Sequence, residues 1–300
     1  MQPETDKLGP IRTALFVPGN RPDRVDKAIA TAADRVIIDL EDAVSASQKV
    51  KSRALVSDKI IAHKDRGVLV RINGLETDFF GGDLEAVVVK GLGGIVLPKT
   101  ETSHQVDKIH RLLVDSEKKQ GLNAGGVAVI FLIESALAIQ NIFQILSAAV
   151  ELNREFLVAL GAADYALDMG IEITKDGREL IYPRSRIAVA CRAAGIPPPL
   201  DTPFMIDLKD LDSLKDDARR AKQLGFQGKL CIHPNQIEPC HVIFTPSREE
   251  ISFARRVVDA FEAEEARGVA AIQVDGKFVD YPVVERSRRI LRLAARISGV

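Results

Sequence analysis

Cysteine is scarce in this chain. Only Cys191, Cys231 and Cys240 occur, with no C-x-x-C pair, and an odd count so arranged argues against both a disulfide framework and a structural zinc site. The expected compartment is a reducing cytoplasm. An excess of charge of one sign is also missing: 41 Lys plus Arg stand against 42 Asp plus Glu, scattered rather than blocked. Nucleic acid and membrane surfaces are therefore poor partners, and small-molecule chemistry fits better. No run of roughly 18 uninterrupted apolar residues occurs, and the opening MQPETDKLGPIR has no apolar core of signal-peptide length, so a soluble protein is expected. No G-x-G-x-x-G opens the first helical segment, which removes the usual mark of an open dinucleotide-binding sheet.

What is present is alternation. Short β-rich apolar runs fall at 13–18, 36–40, 68–73, 94–98, 127–133, 156–161, 203–206 and 229–232. Helix-patterned segments such as HQVDKIHRLLVDSEKK (104–119) and SLKDDARRAKQLG (213–225) lie between them, the second with Gly225 as a stop. Near-continuous apolar strands separated by helices imply a parallel sheet covered on both faces. Eight such units predict a (β/α)8 TIM barrel over residues 1–244. The pattern then changes. SREEISFARRVVDAFEAEEARG (247–268) reads as a long helix with Ser247 and Glu250 in a capping box, Asp275-Gly276 marks a hairpin, and a last helix covers about 283–297. Residues 245–300 are thus expected to form a helix–hairpin–helix extension outside the barrel.

Barrel chemistry gathers at the C-terminal ends of the strands, where the βα loops converge. Strand two ends in Asp39, Glu41 and Asp42, strand three in Arg71 and Asn73, strand four in Lys99, strand five in Glu134, strand six in Asp164, and strand eight in Lys229 and His233. Buried carboxylates are costly unless paired or metal-bound, so a ring of acids beside Arg71 and Lys99 needs a cation or an anionic substrate. Oxygen-only ligands favour Mg2+. Bland readings stand beside these: the strand-two acids as barrel-mouth ion pairs, Glu134 and Asp164 as helix caps, Arg71 as a partner of Glu41, and His233 as a packed imidazole.

The motifs LFVPGNRPDR, VIIDLEDAV, VRIN, VLPK, IES, GAADYALDMG, GKLCIHPNQ and GKFVDYPVVERSRRIL occur in an order that resembles the HpcH/HpaI aldolase/citrate lyase family, in its citrate lyase β-subunit-like branch. The resemblance runs over about residues 11–297. It implies a Mg2+-dependent lyase that cleaves a 3-hydroxy-carboxyacyl-CoA into acetyl-CoA and a 2-oxo acid (glyoxylate, pyruvate or oxaloacetate). By resemblance, Glu134 and Asp164 hold the metal and Arg71 binds the 2-oxo acid carboxylate, with Lys99 a further base toward the substrate. Glu41 and Asp42 orient metal waters and Arg71. Asp280 reaches from the extension into a neighbouring subunit's site as acid or base, within a homotrimer or a hexamer of trimers. Arg21, Arg24 and Lys229 are the candidate cations for CoA phosphates. Ala163 departs from the family, which more often has Glu before the aspartate matching Asp164. A malyl-CoA-type thioesterase and the β subunit of a multi-component citrate lyase acting on an acyl-carrier-protein thioester are the alternatives. The choice among malyl, citramalyl, citryl and methylmalyl groups rests on about one methyl, worth only ~1–3 kcal/mol.

Overall fold

A computed structural model describes residues 8–298. Eight parallel strands close on themselves in chain order: β1 Thr13–Pro18, β2 Arg35–Asp39, β3 Val68–Arg71, β4 Leu92–Leu97, β5 Ala128–Ile133, β6 Phe156–Leu160, β7 Leu200–Asp201 and β8 Gly228–Cys231. β8 returns to β1 through Thr13↔Lys229, Ala14↔Leu230 and Leu15↔Cys231. A Cβ on Gly228 would overlap the Ile11 carbonyl, so only glycine lets the last strand come this close to the first. The connecting helices are α1 Pro22–Ile29, α2 Ala46–Ala62, α3 Phe80–Val87, α4 Ser103–Lys119, α5 Ala136–Val150, α6 Ala162–Met169, α7 Ile181–Ala193 and α8 Leu211–Gln223, followed by α9 Ile237–Phe244. α4 starts on a capping box of Thr102 and Gln105.

Side chains alternate between the two faces of each strand. Ala14, Ile37, Leu69, Val96, Ile130, Leu132, Leu157, Leu200 and Leu230 share one buried cluster, with Phe16 packed against it. This is the barrel interior. The intervening positions, such as Ile38, Val70 and Val129, are equally buried because they face the helices.

Strand seven is a correction. The run at 203–206 is not a strand; the ladder is carried by Leu200 and Asp201 alone, paired through Ala159↔Leu200, Leu200↔Gly228 and Asp201↔Lys229. The apolar signal marks the loop after the strand, where Pro203, Phe204, Met205 and Ile206 line a cavity of about 140 Å³. The strand itself is disguised by its charged residue.

The chain divides into two compact units, residues 1–242 and 243–300. The second holds α10 Arg248–Glu265, the hairpin β9 Ile272–Val274 with β10 Lys277–Val279, and α11 Tyr281–Ser298. Asp275 and Gly276 both have positive φ, 49° and 76°, as a two-residue type I′ turn requires. Val257, Phe261, Val274, Val279 and Val284 form its core. Among the described residues no helix is long and apolar enough to cross a membrane.

Candidate active site

Continuing the interior face of β2, β3 and β5 past Ile37, Leu69 and Leu132 brings Asp39, Arg71 and Glu134 to the C-terminal mouth. Asp39 pairs in register with Arg71, so their side chains meet. Asp39 Oδ1 accepts from Arg71 Nε at 2.7 Å and from the Glu41 amide at 2.9 Å; Oδ2 accepts from Arg71 Nη2 at 2.6 Å and the Ala43 amide at 3.0 Å. The Asp39 carboxylate is saturated, and one whole edge of the guanidinium is taken. Arg71 Nη1 lies 2.9 Å from Glu41 Oε2 and 3.3 Å from Asp42 Oδ2. The Phe16 ring sits 4.9 Å under the guanidinium carbon, an arrangement that favours the cation.

The acids at the mouth exceed the bases. Glu134 is 3 % exposed, and burial, then the charges of Asp164 and Glu41, push its carboxyl up to about 8. Glu41 is pushed up to about 7, first by burial and then by Asp42 and Asp39, against the opposing pull of Arg71. Lys99 is exposed, its Nζ 3.8 Å from Glu41 Oε1. Its backbone does more: Lys99 has a left-handed φ of 54°, and its amide donates to Glu134 Oε1 at 2.7 Å. A strained non-glycine residue at a strand end aims a donor at the buried acid.

Neither acid is the cap that its position allows. α5 is capped by Ser135, whose hydroxyl accepts from the Ala138 amide, and its next free amide, on Ala136, donates to Asp168. Asp164 stands in the first turn of α6, half-buried. A Cβ on Gly161 would overlap Glu134 Oε2, so glycine keeps space open beside that oxygen. Among the described residues no group of three or more His, Cys, Asp or Glu could hold a metal. The donor set is two carboxylates, one of them desolvated and short of positive charge, which fits a hard divalent ion that completes its shell with water and substrate.

Several parts of the site escape sequence reasoning. Lys49, buried on α2, donates to the carbonyls of Leu40 and Glu41 at 2.9 and 2.6 Å and to Asn73 Oδ1 at 2.7 Å. Asn73 in turn bonds Asp83, which pairs with Arg53 at 2.8 Å. This network holds the loop carrying Glu41 and Asp42. Nothing in "SQKVKS" separates Lys49 from Lys51; only the fold does.

Lys229 is a correction. Leu230 faces the barrel interior, so Lys229 faces the helices, fully buried. Its Nζ lies 2.5 Å from Asp201 and 2.6 Å from Asp217, and Arg184 pairs with the same two acids at 2.8 Å each. It cannot meet a phosphate at the mouth. His233 is not a core imidazole either: it is exposed, and its Nδ1 accepts from the Asn235 amide. Arg21 and Arg24 stand exposed at the start of α1, Arg21 3.5 Å from Asp23. In the second unit, Asp280 immediately precedes α11, with Oδ1 accepting from the Val283 amide at 3.3 Å.

The family model described as HpcH/HpaI aldolase/citrate lyase matches residues 12–234. A "citrate lyase subunit beta" of Leuconostoc mesenteroides subsp. cremoris is 39% identical over 94% of this chain and 93% of its own length. An "L-malyl-CoA/beta-methylmalyl-CoA lyase" of Cereibacter sphaeroides is 33% identical over 97% and 96%. Among solved structures, the protein CitE of Mycobacterium tuberculosis in complex with magnesium, acetoacetate and coenzyme A superimposes with a TM-score of 0.77 at 32% identity, covering 96% of this chain and 99% of that one.

Proposed function

The chain belongs to the HpcH/HpaI aldolase/citrate lyase family, and from that premise we propose that its barrel mouth is a Mg2+-dependent carbon–carbon lyase cleaving a 3-hydroxy-carboxyacyl-CoA to acetyl-CoA and a 2-oxo acid. The observation that carries this reading is Glu134: a carboxyl buried beside a second acid, Asp164, with its ionised form left uncompensated. The relatives support it, one being a malyl-CoA lyase by name and another holding magnesium and coenzyme A. Mg2+ held by Glu134 and Asp164 supplies a Lewis acid for the substrate's hydroxyl and carboxylate.

The chain's own groups do the rest. Asp39 fixes the Nε–Nη2 edge of Arg71, so the substrate carboxylate takes the Nη1–Nη2 edge and displaces Asp42, whose 3.3 Å contact is the longest there. Glu41, near 7, holds or releases a proton beside that edge at neutral pH. Lys99 adds positive charge on the open side. Asp280 of a neighbouring copy, in a homotrimer or hexamer, moves the proton at the thioester's α-carbon. Arg21 and Arg24 meet the CoA phosphates.

The test is a panel of malyl-, citramalyl- and citryl-CoA with Mg2+, reading acetyl-CoA and 2-oxo acid together. Both products are expected in equal amounts. Free CoA with intact hydroxy acid makes the chain a thioesterase. Turnover only of a carrier-protein thioester favours the second reading, a citrate lyase β subunit, to which the Leuconostoc relative points. Mixing Asp280→Asn with Arg71→Ala chains should restore activity through hybrid sites; mixed oligomers without activity remove Asp280 from its role in trans.

A further inference from the structure

The loop after β7 and the segment between α6 and α7 enclose a cavity of about 140 Å³. Leu180, Phe204, Met205 and Ile206 give it apolar walls, and Gly177 and Asp217 give it a polar end. At that end charged groups converge on one point. A Cβ on Gly177 would sit 3.6 Å from Asp217 Oδ1, 3.7 Å from Arg184 Nη1 and 3.9 Å from Arg220 Nη2. Arg184 is 1 % exposed, and it commits Nε and Nη2 to Asp201 and Asp217, so that among the described residues its Nη1 has no hydrogen-bond partner. The buried Nε of Arg220 has none either. Asp217, in contrast, is satisfied: it accepts from Arg184 at 2.8 Å and from Lys229 at 2.6 Å. With Arg220 3.7 Å from Asp217, three bases meet the two acids Asp201 and Asp217. Nearby, Asp176 pairs with Arg178, and Glu179 accepts from the Thr174 amide. The end of the cavity therefore offers donors and positive charge.

We propose that this cavity is a second small-molecule site, one that takes a short-chain monocarboxylate. The carboxylate accepts from Arg184 Nη1 at the polar end, and the alkyl tail lies against Leu180, Phe204 and Met205. A buried donor without an acceptor costs free energy, and an ionised acceptor recovers more of it than a neutral one. Volume sets the length of the tail. An apolar cavity of about 150 Å³ holds benzene, so about six non-hydrogen atoms fit here, as many as butyrate has. None of Arg71, Glu134 and Asp164 lines the cavity, and the inference rests on nothing proposed for the mouth.

The chain holds three methionines, Met1, Met169 and Met205, so a methyl spectrum of isotope-labelled methionine reads the cavity wall, with Met205→Leu assigning its signal. Butyrate titrated into the full chain in chelator should shift the Met205 signal saturably in the millimolar range. Butyramide, the same shape without the charge, should bind more weakly by on the order of tenfold. Ile173→Trp and, separately, Ile206→Trp fill the space from lining positions and should abolish the shift, whereas Arg71→Lys should leave it unchanged. An unmoved Met205 signal, one that drifts in step with Met169 without saturating, or equal affinity for butyramide overturns the proposal. So does native affinity in a folded tryptophan variant, or loss of the shift in Arg71→Lys, which would assign the carboxylate to the mouth. Should both tryptophan variants fail to fold, the comparison of butyrate with butyramide on the native chain decides.

Discussion

Two buried charge clusters lie on opposite sides of the same barrel wall, and they are built to opposite rules. Between β7, β8 and helices α7 and α8, two bases, Arg184 and Lys229, face two acids, Asp201 and Asp217, all at 2.5–3.0 Å. Burial would raise the Asp217 carboxyl, but Lys229 and Arg184 outweigh it and hold it well below its ordinary range; burial would lower Lys229, but Asp201 and Asp217 keep it raised. At the mouth, five acids, Asp39, Glu41, Asp42, Glu134 and Asp164, face only Arg71 and Lys99, and two of the acids are pushed up instead. Charge balance marks the sealed cluster as structure. Imbalance is what the proposed metal and substrate site at the mouth would draw on.

The largest expected effect breaks the balanced side. Lys229→Met leaves the two buried acids with one buried base, Arg184, and the partly exposed Arg220 3.7 Å from Asp217, and stripping one partner from a buried ion pair typically costs ~3–5 kcal/mol. Urea denaturation should show a loss of that size with little change in the site's metal affinity. A variant as stable as the native chain would place the cluster in contact with water and end the contrast.

The reverse experiment sharpens it. Glu134→Gln keeps an acceptor for the Lys99 amide and removes the cost of holding a buried carboxyl protonated at neutral pH, so stability there should hold or rise. Mg2+ affinity, by calorimetry, should fall by more than the ~10–100-fold typical of losing an outer-shell partner. Unchanged affinity would take Glu134 out of the metal site.

pH separates the clusters without mutation. Glu134 binds its proton up to about 8 in the folded chain, against an ordinary value of 4.5. Between those values the native state holds more protons than the unfolded one, so stability is greatest below 4.5 and is lost as pH rises toward 8. At about 1.4 kcal/mol per unit, the metal-free protein should lose a few kcal/mol across that window. Asp217 carries the opposite sign, its depressed value giving stability that is lost as pH falls in the acid range. Melting curves from pH 5 to 8.5 should slope downward in chelator and flatten in Mg2+; equal slopes would mean that the ion does not sit beside Glu134.

The same contrast explains what was legible beforehand. Seven strands announce themselves as runs apolar on both faces, and the mouth acids follow from where strands end. β7 hides because its helix-facing residue is Asp201, tolerable only beside Arg184 and Lys229, which arrive from distant elements. Lys229 was legible in principle: a strand-end lysine reads as a mouth base until parity with Leu230 turns it to the other face. Lys49 and Gly161 carry no such signal, since one is buried by the loop it braces and the other matters only for the room it leaves beside Glu134.

The smallest effect concerns how Arg71 is held. Asp39 grips one edge of its guanidinium, and the Phe16 ring lies 4.9 Å from its carbon. Cation–π attraction at a partly shielded site is worth about 1 kcal/mol. Phe16→Leu keeps an apolar side chain on the interior face and leaves both Asp39 bonds intact, so the melting temperature should move little. What changes is the freedom of the guanidinium to tilt toward Glu41 and Asp42 and away from an incoming carboxylate. A loss near 1 kcal/mol corresponds to a roughly fivefold fall in kcat/KM, carried mainly by KM if Arg71 holds the carboxylate equally in ground and transition states. Arg71→Lys, which cannot make a bidentate grip on either edge, should fall much further. If Phe16→Leu and Arg71→Lys lose equal activity, the ring rather than the carboxylate of Asp39 is what positions the cation, and the mouth is organised around its aromatic floor.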